Sequence, residues 1–283
     1  MGTSQSSGGP GSGVSMVPPW TPDPPTGDAS GNGAEGGDAP ADDGAAPPQV
    51  PPPAPAPLAP PARFLGARRA LGEFARSGDG GDMRRSMGHY VRTGYGGSAT
   101  ATRRFGGTAT TAGALGGALA RVAAGQSAEP GSPLDPALLA GRNVQEVMNA
   151  VVEAVRPVDG TQDAEAERAA IRDALTELLT RFPDADLLNL DPEQRAFAIE
   201  RFTAIDVFRR FELDVGKTIV EKAPSAVTAL SRLKEVRDYV KQSVAAAFRK
   251  LHDAGRSLTS GRISQVVRDA LRETFEVFEG YAE

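Results

Sequence analysis

Cysteine is absent from this chain, histidine occurs twice and tryptophan once. The missing thiols exclude disulfides, thiolate nucleophiles and every Cys-based zinc or iron–sulfur centre. With His89 and His252 far apart in sequence, a histidine metal site or a Ser-His-Asp triad has almost no candidates. No metal ligands, no catalytic residues and no cofactor are therefore expected, and the chain reads as not an enzyme. No run of 18 apolar residues is present to cross a bilayer, and the first residues lack the cationic start and apolar core of a secretory signal. The expectation is a cytoplasmic protein without membrane contact.

Basic residues are missing from positions 1–62, which carry six acids (Asp23, Asp28, Glu35, Asp38, Asp42, Asp43), 16 of the 23 prolines and 11 glycines. Ordering a chain costs about 1–2 kcal/mol per residue in backbone entropy, and this stretch has too few long aliphatic side chains to offset it. Residues 1–62 are predicted to be a disordered tail, flexible where Gly and Ser dominate and stiffer through the proline run from Gln49 to Pro61. Within it, Val17, Pro18, Pro19 and Trp20 form the one apolar cluster, and a lone Trp there predicts a docking anchor for a partner. Charge then reverses: residues 63–121 hold ten arginines against Glu73, Asp79 and Asp82, and the remainder is acidic again.

From Arg63 onward the apolar spacing turns helical. Phe64, Leu65, Ala67, Leu71, Phe74 and Ala75 share one face before Gly78, and a second helix is predicted from about Asp82 to Thr93. Residues 94–108 read as a glycine-rich loop. Ala109, Gly113 and Gly117 recur every four residues, a smooth stripe that admits another backbone if the stretch is helical. Five stronger helices follow. Asn143 with Glu146 predicts a capping box before Val144, Val147, Met148, Val151, Val152 and Val155. Ile171, Leu175, Leu178, Leu179 and Phe182 form the stripe of the next, and Asp191-Pro192 with Gln194 opens a third bearing Ile199, Phe202, Ile205 and Phe208. The longest spans about Ser225 to Ala254, with Leu233, Val240 and Ala247 seven apart and Leu230, Val244 and Leu251 beside them. Ile263, Val266, Val267, Ala270, Leu271, Phe275 and Phe278 mark the last. The fold class expected is all-α: a disordered tail over 1–62, an Arg/Gly-rich helical segment over 63–127 and a bundle-like helical domain over 134–283.

Two glycine motifs fail on inspection. Val215-Gly-Lys-Thr218 resembles the end of a phosphate loop, but Phe211 stands where the first glycine is needed, so an interhelical turn is expected. Gly94-x-Gly96-x-x-Ala99 follows no apolar strand and does not read as a dinucleotide fingerprint. The carboxylates from 159 to 193 are accounted for by helix capping and solvated faces. Met1-Gly2 fits a myristoylation start, yet no basic residues follow to hold the chain at a membrane. Removal of Met1 would leave the unhindered α-amine of Gly2, with a pKa near about 7.7–8.0, as a partly neutral nucleophile at neutral pH.

The richest mixture of chemistry is central. Arg84, Arg85, His89, Tyr90, Arg92, Tyr95, Arg103, Arg104 and Phe105 set cations and aromatics among glycines. Such a set suits either a protein contact or a nucleic acid, by phosphate contacts and base stacking, and the third reading is a solvated basic face or an internal dock for the acidic tail. The start of the chain through Trp20, the run GHYVRTGYGGSA from Gly88 to Ala99 and RRFGG from Arg103 to Gly107 resemble the QatB family of the four-gene Qat anti-phage system. The likeness is most specific at the start and over 63–120 and only general in the C-terminal helices. It implies an ATPase, a QueC-like enzyme and a TatD-like nuclease as partners. It also implies a substrate or adaptor role, in which the QueC-like enzyme is expected to pass an activated carboxyl group to the amine of Gly2 or of a glycine newly exposed by cleavage within residues 2–13. The alternatives are an adaptor bringing nucleic acid to the nuclease and a plain scaffold.

Overall fold

Six helix starts follow the capping chemistry of the sequence in the computed structural model, which describes residues 62–126, 130–258 and 261–282. The disorder expected of the tail, and the roles expected of Gly2, Val17, Pro18, Pro19 and Trp20, lie outside the described residues. Helix α1, Leu65–Ser77, ends where Gly78 turns left-handed at φ 78°, and α2, Gly80–His89, begins beneath Asp79, whose carboxylate accepts from the Gly81 amide at 2.6 Å. After α3, Ser98–Arg104, and α4, Gly106–Ala123, comes the single turn α5, Pro136–Leu139. Helices α6, Val144–Val155, and α8, Pro192–Phe211, both open on the reciprocal capping boxes expected of Asn143/Glu146 and Asp191/Gln194. Between them α7, Gln162–Arg181, is capped by Thr161. Short α9, Lys217–Lys222, precedes α10, Ala226–Asp253, capped by Ser225, and α11, Ile263–Glu279, runs into a final 3₁₀ turn, Gly280–Ala282. Each such cap contributes about 1 kcal/mol. The architecture is all-α, with no strand among the described residues.

Helices α8 and α11 carry most of the packing. Helix α8 lies against α4, α7 and α10, while α11 lies against α3, α4 and α10; α1 packs on α2 and α9. The Arg/Gly-rich segment and the later helices share one core, in which Phe74, Phe105, Phe202, Phe211, Phe275 and Phe278 are all essentially sealed from solvent. The small-residue face of α4 admits the start of α11 closely. A Cβ on Gly113 would strike Ser264 Oγ, and one on Gly116 would strike the end of Ile263.

Four expectations are corrected. The second helix stops at His89 and continues as a π-helical turn, Tyr90–Tyr95. The loop expected over 94–108 contains α3: Gly96 and Gly97 make the turn at φ 81° and 100°, and the Glu279 carboxylate from α11 accepts from the Ser98 amide at 2.9 Å. That cap comes from 181 residues away, so no local pattern announces it. Val215 to Thr218 is no interhelical turn, because α8 runs through a second π-helical turn, Glu212–Gly216, directly into α9. Leu230 is 69 % exposed although it lies on a seven-residue seam with Val244 and Leu251. A straight helix drifts about 20° per heptad from such a seam, so the face that buries Val244 and Leu251 leaves Leu230 outside. Leu65 and Val144 are likewise exposed at the first turns of their helices, and Phe182, beyond the last turn of α7, is half-buried.

Candidate functional site

The two π-helical turns meet. On an α-helix side chains advance about 100° per residue, so Tyr90 and Tyr95 would point roughly 140° apart. The wider π turn, which bonds i to i+5, restores them to one side. Both hydroxyls donate to Asp214 Oδ2, each at 2.9 Å, and Asp214 belongs to the other π turn. Arg68 of α1 donates to the Asp214 carbonyl at 3.0 Å, tying α1 to the same place. Hydrogen bonds to a charged acceptor are each worth about 1.5–3 kcal/mol, which holds both turns in register. Burial, with Asp214 adding to it, drives the Tyr90 hydroxyl well above its ordinary pKa, and burial pushes Tyr95 up to about 12, so both remain donors. Around them Phe64 stacks on Tyr90 at 5.3 Å, Phe211 meets Tyr90 edge-on at 4.9 Å, and Phe105 lies 5.6 Å from Tyr95.

A second polar group lies beneath. Arg210 approaches Glu167 Oε1 at 3.2 Å and Asp206 Oδ2 at 3.5 Å while its guanidinium covers the Phe105 ring at 5.2 Å. Thr108 donates to Asp206 Oδ2 at 2.6 Å and Thr111 to Glu167 Oε2 at 2.9 Å. Arg156 Nε stands 2.9 Å from Glu167 Oε2 as an ion pair, without the alignment of a hydrogen bond. Asp206 Oδ1 is buried without a partner. A polar cleft of about 330 Å³ opens above this group, lined by Arg63, Tyr95, Arg104, Asp163, Arg210 and Asp214.

Burial pushes the Asp206 carboxyl up to about 6, with Arg210 and Thr108 pulling it back and Glu167 and Asp163 adding to the rise. The folded state therefore keeps this proton up to about pH 6, whereas an unfolded aspartate releases it near about pH 3.9. In that window the native state binds more protons than the unfolded one, so the contribution of Asp206 falls as pH rises, by about 3 kcal/mol in all. Asp206→Asn removes the slope. Urea unfolding of both proteins between pH 4 and pH 7 should show the native chain losing stability relative to the variant, and parallel curves would contradict this.

The expected site residues divide by depth. Arg84, Arg85, Arg92, Arg103 and Arg104 are exposed; Arg85 pairs with Asp82 at 2.7 Å and Arg103 reaches Thr100 Oγ1 at 3.0 Å. Tyr90 and Phe105, expected to face a partner, are core residues at 1 % and 0 % exposure, and Tyr95 is largely covered. The reason is the π turn and the Arg210 guanidinium, which together draw the rings inward. His89 is half-buried, its imidazole against Gly66 and its Nδ1 without a partner. Asp206, Arg210 and Asp214 were not singled out from sequence, and Glu167, expected among carboxylates that cap helices or lie on solvated faces, is instead buried against Arg156, Arg210 and Thr111. One signal was present for Asp206: an acid between Ile205 and Val207 on a stripe with Phe202. Among the described residues no group of three or more His, Asp or Glu side chains is placed to hold a metal ion, and no helix is long and apolar enough to cross a membrane.

The model of one protein family, described as Qat anti-phage system associated protein QatB, matches residues 96–278, well over half of the chain. The matched stretch takes in the C-terminal helices, where the sequence likeness was general, and leaves out the start of the chain. No curated protein and no solved structure matches.

Proposed function

Since this chain belongs to the QatB family, and so to an anti-phage defence system, we propose that it is a non-enzymatic substrate or adaptor subunit of that system, docked to a partner through its exposed arginines. The observation that carries this reading is the division by depth. Base stacking needs exposed rings, and in this segment Tyr90 and Phe105 are sealed in the core. What remains outside is guanidinium charge on a firmly packed body, which suits the carboxylates of a protein partner. The partners this implies are the QueC-like enzyme, the ATPase and the TatD-like nuclease.

In this role the chain is acted upon. The QueC-like enzyme recognises Gly2 or acylates it: the neutral amine attacks an ATP-activated carboxyl carbon, a C–N amide bond forms, the activating group leaves and a proton passes to solvent. Reversing Arg84, Arg85, Arg103 and Arg104 to glutamate should abolish co-purification with at least one of the three proteins while leaving the thermal midpoint in place. Retained co-purification counts against the docking surface. Salt-sensitive binding of DNA or RNA lost in the same variant would favour the nucleic-acid adaptor instead. An N-terminal peptide of unchanged mass after coexpression with the QueC-like enzyme would sink the acylation step.

A further inference from the structure

The exposed arginines sit on three separate elements: Arg84 and Arg85 on α2, Arg92 on the π turn Tyr90–Tyr95, and Arg103 and Arg104 at the end of α3. A partner that reads them together needs the three elements held at fixed spacing. Asp214 holds the π turn through Tyr90 and Tyr95, whereas α3 is seven residues long and has no side-chain cap of its own. The first amides of a helix have no partner within it, and so short a helix is not stable on propensity alone. What holds α3 comes from the far end of the chain.

Residues 279–282 touch all three elements. The Glu279 carboxylate accepts from the Ser98 amide at 2.9 Å, and a Cβ on Gly97 would lie only 3.2 Å from Glu279 Oε1, so the glycine leaves the carboxylate room to reach. The Ser98 hydroxyl and amide, with Arg92 adding to them, hold the Glu279 carboxyl below the usual carboxylate range, so it is charged at neutral pH and faces Arg92 of the π turn. Directly after it, the backbone of the turn Gly280–Ala282 lies against Gly88 of α2, and Tyr281 accepts from the Tyr239 hydroxyl of α10, which ties the turn to the bundle. We propose that residues 279–282 are a clasp for the arginine surface, in which Glu279 is the positioning residue that sets where Arg92, Arg103 and Arg104 stand when a partner docks. This rests on the docking role proposed above and assigns to it a residue far outside the arginine segment. A guanidinium pairs well with a carboxylate only in a defined geometry, and holding α3 beforehand spares the complex the entropy of ordering it.

Amide hydrogen exchange of the full chain, together with co-purification with the QueC-like enzyme, the ATPase and the TatD-like nuclease, tests the proposal. Glu279→Ala should speed exchange at residues 101–105 by about tenfold or more, the loss expected of a cap that carries charge. Exchange in α8 should stay unchanged, reporting that the body is folded, while the amount of partner retained falls several-fold. Glu279→Gln keeps an acceptor for the Ser98 amide and should remain near the native chain in both measurements. Gly97→Ala crowds the carboxylate from the other side and should match Glu279→Ala. Unchanged exchange at 101–105 in Glu279→Ala, or faster exchange there with partner retention intact, overturns the proposal. Equal loss of partner in Glu279→Gln overturns it as well, since charge rather than position would then be the cause. In each of those cases the docking surface itself stands if reversing Arg84, Arg85, Arg103 and Arg104 abolishes co-purification, whereas retention through that reversal removes both.

Discussion

Truncating Arg210 to alanine should cost about 3–5 kcal/mol of folding stability, the loss expected when one member of a buried ionic group is removed and its partners stay charged. Asp206 is fully buried and Glu167 nearly so, and Arg210 approaches both. Without it Asp206 keeps only the Thr108 hydroxyl, while Glu167 keeps Thr111 and Arg156. A domain of this kind has about 5–15 kcal/mol in total, so the variant should sit near the limit of folding. Two further measurements separate this cause from simple loss of packing. The deficit should shrink at pH 5 relative to pH 8, because Asp206 is then neutral in both proteins. A triple variant, Arg210→Met with Asp206→Asn and Glu167→Gln, should recover most of the loss, since removing all three charges together leaves nothing to compensate. A deficit under about 1 kcal/mol, in the range of exposed pairs, would mean the group is far wetter than the structure places it.

Gly88→Ala should also destabilise, and here the sign is the test. In the interior of a helix alanine is favoured over glycine by about 1 kcal/mol, so propensity alone predicts a gain at this position in α2. The structure opposes it. A Cβ on Gly88 would lie 2.5 Å from the Tyr281 carbonyl carbon and nearer still to the Ala282 amide nitrogen. Both are backbone atoms, so no rotamer change relieves the overlap, and the C-terminal turn must move. Tyr281 accepts a 2.8 Å hydrogen bond from the Tyr239 hydroxyl, and Tyr239 stacks on Phe278 at 6.0 Å, so the displacement reaches the core. The expected net loss is about 1–3 kcal/mol by urea denaturation. Gly72→Ala in α1 serves as the contrast: its Cβ would meet Lys222 Cγ at 3.5 Å and Thr218 at 3.7 Å, ordinary contacts, so propensity should prevail and stability rise. A rise in both variants would show that the turn after α11 does not sit against α2.

The capping boxes at Asn143 and Asp191, the stripe from Ile263 to Phe278 and the end of α1 at Gly78 were legible because each rests on residues within a few positions of one another. Local hydrogen bonds and a 3.6-residue period fix such features without help from the rest of the chain. The family likeness was legible too, from Gly88 to Ala99 and Arg103 to Gly107, although the family match itself begins at Gly96 and extends through the helical body. Helix α3 was not legible, because its cap is Glu279; nor was the pairing of the two π turns, because Asp214 lies more than a hundred residues from Tyr90 and Tyr95.

Apolar spacing and capping residues determined that the described body is helical, and the order of charge along the chain that a basic, aromatic-bearing segment precedes its acidic helices. Only tertiary structure decided what that segment does with its side chains. Sequence sets Arg84, Tyr90, Arg104 and Phe105 side by side as one recognition mixture, but burial is a property of the whole core. The π turn, Asp214 and Arg210 supply distant partners that make it favourable to bury the rings, and among the described residues none does the same for the exposed guanidiniums. What read as a surface for cations and rings together is therefore a cationic surface above an aromatic core.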